Sequence, residues 1–210
     1  PDEFCLDGKR LIRHSQNPRE FRLEGELSVK LVSSGGTTQS PGSFELRTST
    51  GLIRAFGSRD SVSNSRVAVQ IPAIVPGSGD LSTVQPGPVV AQGWMEDSVR
   101  DLWNNEMQID YLRTSSGLGR VEVKPVEIRY TRSASGGLEA SRRVRFQYEP
   151  ASEPRSSTTG FVTVESRSRL SGLMVDADYR LSSDASPGTQ MLFREYRFSY
   201  QANPVGKRRN

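Results

Sequence analysis

The two residues that could form a nucleophilic site are Cys5, the sole cysteine, and His14, the sole histidine. A cysteine nucleophile needs a base that accepts its proton and a third group that orients the base. Cys5 and His14 lie nine residues apart, on either side of a predicted turn and strand, and no third group stands out. We therefore favour structural roles for both, and an enzyme that uses them is kept as an alternative.

Carboxylates form two further patterns. Asp176 and Asp178 fall on one face of a predicted strand, but the glycine and the distal glutamate of a calcium loop are missing. Glu24 and Glu26 form an E-x-E pattern, and residues 48–50 read TST, as in ADP-ribosyltransferases, although here the order is reversed. Turn and strand roles are the favoured interpretation. The sequence predicts no catalytic residue, no cofactor site and no metal site.

The two tryptophans, Trp94 and Trp103, flank a charged stretch. Aromatic side chains beside charges can bind sugars or bases, although they more often anchor a sheet against its neighbour. Together with the loops predicted at 75–88 and 149–160, they define an alternative function. In that alternative, the chain is a secreted binding module that recognises a surface glycan or a partner protein.

Composition limits the possible partners. The formal net charge is +4, and the basic residues are mostly arginines spread along the chain. The one tight basic cluster, at 207–209, is predicted to be a solvated tail, so nucleic acid is not an expected partner. No apolar run approaches the ~20 residues of a membrane-spanning helix, which predicts no membrane span.

The length of 210 residues suits one β-rich domain, predicted here over 1–210. With one cysteine, the chain cannot form an internal disulfide, so its stability must come from a core or from a larger assembly. The N-terminus lacks the apolar region of a signal peptide and begins at Pro1. We therefore expect this chain to be a fragment of a longer one.

The clearest motif is apolar-x-apolar-x-Tyr, which occurs at 107–111, 126–130 and 144–148, and again with a leading tyrosine at 196–200. Side chains alternate across a strand, so each copy predicts one apolar stripe and one polar stripe. We expect the apolar stripe to be buried and the polar stripe to face water. The pattern predicts an all-β fold of antiparallel hairpins that form a sandwich-like or curved sheet.

Other segments alternate in the same way. Residues 21–32 keep their apolar positions in phase, and Gly25 in the middle predicts a bulge or a bend. Residues 44–57 predict a hairpin in which Gly51 takes a positive φ. Residues 160–167 and 170–180 are predicted to pair with each other. Surface loops are predicted at 33–43, 75–88, 133–141, 149–160 and 182–189.

The segment around Asp97 has two interpretations. Asp97 could cap a helical turn in which Val99, Leu102 and Trp103 share one face. A strand on each side of a turn at 102–105 fits the residues equally well.

The order of seven segments indicates a family. They resemble, in sequence order, the N-terminal domain of the SpvB/TcdB type, which opens the B component of Tc insecticidal toxin complexes and the virulence-plasmid B proteins of the Salmonella type. The resemblance covers about residues 4 to 205 and also suggests kinship with RHS/YD-repeat proteins. The segments are 4–12, 44–57, 94–111, 126–131, 142–150, 168–175 and 196–201.

The family pattern has Asp-Arg-x-Gly-Asn before a strand, where this chain has Asp101, Leu102, Trp103, Asn104 and Asn105. Asn104 thus occupies the glycine position. Asparagine tolerates the left-handed conformation better than other residues that carry a Cβ, so the resemblance favours a turn here over a helix.

The resemblance also implies a role. In Tc toxins the B and C components build a β-sheet shell around a toxic cargo, and a propeller in B controls exit into the A-component channel. This chain resembles shell wall, which implies a secreted bacterial protein without catalytic activity. The implied partners are the remainder of its own B-type chain and the C-type and A-type components.

Overall fold

The computed structural model describes residues 4–73, 85–117, 119–133, 140–159, 162–177 and 191–200. Within these residues the chain forms strands and one short helix, α1 (Asp60–Ser63). The strands are β1 (Cys5–Leu6), β2 (Lys9–Arg13), β3 (Glu20–Leu23), β4 (Glu26–Ser34), β5 (Ser43–Arg47), β6 (Ile53–Phe56), β7 (Arg66–Ala73), β8 (Gln85–Trp94), β9 (Glu96–Arg100), β10 (Asn105–Gly117), β11 (Arg120–Ser133), β12 (Arg142–Thr159), β13 (Val162–Ala177) and β14 (Met191–Arg197).

Twelve of these strands form one sheet, in the order β1-β2-β3-β4-β5-β6-β9-β10-β11-β12-β13-β14. Neighbours along this order are antiparallel, and β1 and β14 lie at its two ends. Strands β7 and β8 form a separate two-stranded sheet inserted between β6 and β9. The predicted all-β fold of antiparallel hairpins is confirmed.

The hydrophobic core of the molecule lies under the N-terminal half of the large sheet. Alternation places Phe21, Leu31 and Leu46 on one face, and the register sets them side by side across β3, β4 and β5. All three are almost completely buried. Phe44 and Phe56 pair across β5 and β6 and complete the same cluster.

A smaller apolar cluster attaches the β7–β8 hairpin to the rest of the fold. Val67 and Val69 of β7 pack with Val121 of β11 and Val162 of β13, and all four are buried. The backbone N–H of Gly119 donates to the carbonyl of Gln70 at 3.2 Å, which fixes the hairpin beside the start of β11.

The predicted hairpin at 44–57 is confirmed as β5 and β6, and Gly51 has a φ of +80°. The bend predicted at Gly25 is confirmed, but it reverses the chain completely, so 21–32 is a hairpin rather than one strand. Leu23 pairs with Glu26, so Glu24 and Gly25 form a two-residue turn between β3 and β4. Gly25 has a φ of +81°, which suits the tight reversal of a hairpin better than the interior of a strand.

The turn at 102–105 is also confirmed, and the helical alternative is wrong. Strands β9 and β10 pair across it, and Asn104 has a φ of +61°. The Asp101 carboxylate accepts hydrogen bonds from the backbone N–H groups of Trp103 and Asn105, both at 2.9 Å. These bonds favour a turn, because the two backbone N–H groups are bonded to a side chain and do not need the backbone partners that a helix would provide.

Replacing Asn104 by glycine should leave the free energy of unfolding unchanged or raise it slightly. Glycine reaches this φ without the steric cost of a Cβ. Asn104→Val should instead lower the free energy of unfolding by about 1–2 kcal/mol, because a β-branched residue is strained at positive φ. Urea unfolding followed by tryptophan fluorescence measures both. Equal losses in the two variants would show that the asparagine side chain, rather than φ, stabilises this turn.

The predicted pairing of 160–167 with 170–180 is wrong, because the described parts of both runs, 162–167 and 170–177, belong to the continuous strand β13. Its middle is held by Glu122 of β11, whose carboxylate accepts hydrogen bonds from the backbone N–H groups of Arg167 and Ser168 at 2.9 and 3.1 Å. This partner is distant in sequence, so the local pattern did not indicate it.

The loop predicted at 149–160 is also wrong, because β12 continues to Thr159. The ladder with β13 is interrupted between Pro150 and Arg155 and then resumes. Pro150 and Pro154 have no backbone N–H to donate to the ladder, and this explains why the pairing is interrupted between Pro150 and Arg155. Of the loop predicted at 33–43, residues 35–42 connect β4 to β5, and the positions at either end belong to these strands. The loops at 75–88 and 133–141 fall largely, and the loop at 182–189 wholly, outside the described residues.

Candidate functional site

The apolar face of β10–β13 is less well buried than the N-terminal core among the described residues. Ile109, Ile128, Val144 and Val175 stand directly opposite one another across these four strands. Each is only half-buried, in contrast to the apolar residues of the N-terminal core. We call this row, together with Phe146, Leu173 and Tyr196 in the next row, the apolar ladder.

The prediction that these stripes are buried therefore holds only in part: the copies at 107–111, 126–130 and 144–148 are partly buried, and the copy at 196–200 is exposed. Tyr196, at the β14 end of the ladder, is 44% exposed. Around it, on β14 and just after it, further large side chains are exposed: Leu192, Phe193, Phe198 and Tyr200. The motif copy at 196–200 is also only partly strand, because β14 ends at Arg197. Leu192 lies opposite Asp176 on the charged face, whereas Arg194 lies opposite Val175 and stacks over the rings of Phe193 and Tyr196. Exposed apolar side chains that lie close together are typical of interaction sites.

Charged residues occupy the opposite face, and several are better buried than the apolar ladder. The row Gln108, Arg129, Arg143 and Asp176 crosses β10–β13 in register. Asp176 is 1% exposed and Arg143 is 8% exposed. This row was predicted to face water. The sequence signal that could have indicated this pairing is the presence of acidic and basic residues at alternating positions of these strands, where opposite charges can meet across the sheet.

Asp176 is the centre of this row. Its carboxylate accepts hydrogen bonds from Arg143 Nε at 2.6 Å and from Arg145 Nε and Nη2 at 2.8 and 3.0 Å. Burial alone would raise the pKa of Asp176, but the hydrogen bonds and charges of the two arginines outweigh it and hold the pKa below its usual value. The carboxylate is thereby kept ionised within the sheet.

The segment 57–65 covers part of this charged face beside β10. Arg59 reaches Asp110 at 3.2 Å, and Arg129 holds the second oxygen of Asp110 at 2.5 Å. Asp60 pairs with Arg113 at 2.9 Å. The charged face thus serves to join elements of this chain, and its paired groups leave the apolar ladder as the better candidate for contacts with other molecules.

Three of the motif tyrosines bind a backbone carbonyl on a neighbouring segment. Tyr111 and Tyr148 donate to the carbonyls of Glu96 and Pro125, both at 2.7 Å, and Tyr200 donates to that of Leu170 at 2.5 Å. Burial, reinforced by nearby carboxylates, raises the pKa of Tyr111 and of Tyr148 to about 12. Both phenols therefore stay protonated and act as structural donors that tie segments together.

Cys5 and His14 are not brought together. Cys5 lies on β1 and pairs with Arg10, and His14 follows the end of β2. Four residues of extended strand separate Arg10 from His14, which corresponds to roughly 13 Å. His14 Nδ1 accepts a hydrogen bond from the backbone of Gln16 at 3.3 Å.

The carboxylate patterns have structural partners. Glu24 and Glu26 form ion pairs with Arg10 and Lys9 across the β2–β3–β4 hairpins. Asp176 is occupied by its two arginines, whereas Asp178 lies outside the described residues. Among the residues that the structure describes, no group of three or more His, Cys, Asp or Glu is placed to hold a metal ion.

The two tryptophans lie in different environments. Trp94 packs edge to face against Phe4 and Phe44, with ring centroids 5.6 and 4.9 Å away, and donates its Nε1–H to the carbonyl of Pro41 at 3.0 Å. Trp103 is 75% exposed at the tip of the β9–β10 hairpin. Trp94 is therefore a core anchor. The residues 149–160, which were the second element of the proposed glycan site, are mainly strand.

The sequence matches no protein-family profile, and no curated protein matches it. The fold, in contrast, is similar to solved structures. The N-terminal domain of the effector protein SpvB from Salmonella typhimurium strain LT2 superposes with a TM-score of 0.63 at 12% identity, over 98% of this chain and 79% of that one.

Two Tc toxin structures are also similar. A Photorhabdus luminescens Tc holotoxin pore gives a TM-score of 0.54 at 11% identity over 94% of this chain, and a TcdB2-TccC3-TEV crystal structure gives 0.53 at 11% identity over 95%. This chain spans about a tenth of each matched chain, 10% and 11%. No helix within the described ranges is long and apolar enough to cross a membrane.

These similarities define the class of the fold: an all-β domain of the type found in SpvB and in Tc toxin components. The resemblance seen in the sequence is confirmed at this level. More specifically, the chain has the fold of the SpvB N-terminal domain, and the superposition covers 98% of this chain.

Proposed function

We propose that this chain is a non-catalytic structural module of a secreted bacterial toxin complex. In this role it forms part of the wall of a β-sheet shell that encloses and delivers a toxic cargo. Its partners would be the remainder of a B-type chain and, through it, the C-type and A-type components. The fold similarity to SpvB and to Tc toxin structures supports this assignment.

The observation that carries the proposal is the partly exposed apolar ladder on an open sheet. A row such as Ile128, Val144 and Val175 that stays partly wet does not give an isolated domain the full stabilisation that its apolar surface can provide. The same row becomes stabilising when a further layer of protein covers it. The exposed aromatic residues of β14 continue this surface to the edge of the sheet, where another strand can pair.

The experiment is co-purification of this chain with the separately expressed remainder of its B-type chain. We expect a stable complex with the wild type and loss of most of the complex with Tyr196→Asp, because the new charge would be buried at the contact. Leu102→Asp is the matched control: Leu102 is 68% exposed, but at the tip of the β9–β10 hairpin, away from the ladder. Failure of the wild type to form a complex, or equal loss in both variants, contradicts the proposal.

A further inference from the structure

A surface cavity of about 380 Å³ lies where the ladder between β12 and β13 is interrupted. Between the pairs Pro150–Ser168 and Arg155–Ser166, β12 has four residues, 151–154, where β13 has one. Extra residues of this kind bend a strand and re-aim its side chains, and such irregularities are frequent beside functional sites. We call the space beside residues 151–154 the β12 cavity.

The lining of the β12 cavity is mixed rather than apolar. It combines one aromatic ring, three serine hydroxyls, one carboxylate and two guanidinium groups. The ring belongs to Tyr200, which is 47% exposed, and the carboxylate belongs to Glu153 on the irregular part of β12. The volume is near the lower end of the roughly 300–1,000 Å³ of small-molecule pockets, which suits a ligand with a single ring.

The aromatic side of the cavity is held in place by bonds within the chain. The Tyr200 hydroxyl donates to the carbonyl of Leu170 at 2.5 Å, and the guanidinium carbon of Arg169 lies 4.6 Å from the centroid of the Tyr200 ring. Arg169 is itself held by Glu149, at 2.5 Å. A ligand can pack on the side of the ring that Arg169 leaves open, and it need not pay to order these side chains.

The β12 side of the cavity carries charged groups without a partner. Among the residues that the structure describes, neither the Glu153 carboxylate nor the Arg155 guanidinium forms a hydrogen bond or an ion pair. Arg169 on the facing strand, in contrast, is paired with Glu149. A guanidinium binds a carboxylate through two parallel N–H bonds, and a carboxylate accepts hydrogen bonds from hydroxyl groups. The two groups together suit a ligand that carries both a carboxylate and hydroxyls.

We propose that the β12 cavity binds a sugar acid, that is, a sugar ring that carries a carboxylate, as a residue of a glycan. Arg155 holds the carboxylate, Glu153 and the serine hydroxyls bond to the ring hydroxyls, and the apolar C–H face of the sugar packs on Tyr200. Glu153 selects against simple anions such as sulfate, which has no hydroxyl to donate and is repelled by the carboxylate. This site differs from the glycan site considered from the sequence, because neither Trp94 nor Trp103 lines it.

Saturation-transfer NMR titrations of the whole chain test the site. The probes are the methyl glycosides of glucuronic acid, galacturonic acid and N-acetylneuraminic acid. Each is compared with its methyl ester, which keeps the sugar ring and removes the charge. We expect saturable binding of at least one acid, at least about tenfold tighter than that of its ester, because the ester loses the charge-assisted bonds to Arg155. Sulfate at the same concentration should not compete.

Two pairs of variants locate the binding. Arg155→Gln should weaken binding of the acid about tenfold and remove its advantage over the ester. Arg142→Gln is the matched control, because Arg142 is exposed on the same strand and does not line the cavity. Tyr200→Ala should weaken acid and ester alike, and its control is Phe198→Ala, an exposed aromatic residue outside the lining. Thermal unfolding verifies that all four variants remain folded.

Three results would overturn the proposal: no saturable binding of any of the three acids, equal affinity for an acid and its ester, or equal effects of Arg155→Gln and Arg142→Gln. The sugar site does not depend on the assembly role proposed above. The two are tested separately, since the titrations use this chain alone and Tyr196, the residue changed in the assembly experiment, does not line the cavity.

Discussion

Replacing Asp176 by asparagine should lower the free energy of unfolding by about 3 kcal/mol, because it removes the closer of the two carboxylates that pair with Arg143 inside the sheet and leaves it with Glu127 at 3.5 Å. Arg143 is 8% exposed and cannot regain water without opening the sheet. Arg145 loses the same partner, but its side chain reaches solvent. Denaturant unfolding monitored by tryptophan fluorescence measures the loss.

Glu149→Gln is the matched control for this prediction. Glu149 also pairs with an arginine across β12 and β13, at 2.5 Å from Arg169, but both side chains are substantially exposed. An exposed ion pair contributes roughly 0–1 kcal/mol, so this variant should unfold close to the wild type. A similar loss in both variants would show that burial of the Asp176 pair is not what makes it important.

The Asp176 effect should also depend on pH. Because the folded-state pKa of Asp176 lies below that of the unfolded chain, its stabilisation is fully present above about pH 5. It is lost as pH falls through the lower, folded-state pKa. The difference between wild type and Asp176→Asn should therefore shrink below about pH 4. A difference that stays constant down to pH 2 would contradict this account.

The second large effect is expected for Asp97→Asn, which should lower the free energy of unfolding by about 3 kcal/mol. Asp97 is 0% exposed, and its carboxylate accepts hydrogen bonds from Ser58 Oγ at 2.8 Å, Arg59 N at 2.7 Å and Ser65 Oγ at 2.7 Å. An amide replaces one acceptor oxygen by a donor, which leaves at least one buried donor without a partner. The segment 57–65 would then be attached to β9 less tightly, through bonds such as that from Arg59 Nη1 to the Asp97 carbonyl.

Asp101→Asn is the control with the same chemical change. Asp101 also accepts three hydrogen bonds, from Trp103 N, Asn105 N and Asn105 Nδ2, but it lies at the exposed β9–β10 turn, where water can replace a lost partner. Its substitution should have a much smaller effect. If the two variants lose equal stability, the number of hydrogen bonds rather than their burial governs the cost.

Local segments of the sequence predicted much of the fold. The alternating runs identified most strands, and positive-φ positions such as Gly51 and Asn104 marked the hairpin turns, because both signals depend on neighbouring residues only. Predictions failed where a distant strand decided the outcome. β13 continues through Ser168 because Glu122 of β11 satisfies its backbone, and β12 resumes after Pro154 because β13 pairs with Arg155–Thr159.

For the two faces of the sheet, too, local sequence predicted one part of the outcome and distant segments decided the other. Alternation correctly separated apolar residues such as Ile128 from charged residues such as Arg129, since successive side chains point to opposite faces. It did not show which face would be covered. That depended on the segment 57–65 crossing the charged side of β10 and on Asp176 arriving opposite Arg143.

The sequence by itself determined the all-β class, the hairpin turns and the resemblance to SpvB/TcdB-type domains, because these follow from local alternation and from the order of short segments. Only the tertiary structure decided that Asp176 and Asp97 are buried and bonded, that the apolar ladder is partly exposed, and that Phe4, Phe44 and Trp94 pack edge to face beside β1. Burial and pairing depend on which strands become neighbours, and the residues that meet in this way, such as Arg143 and Asp176 or Phe4 and Trp94, are far apart in sequence.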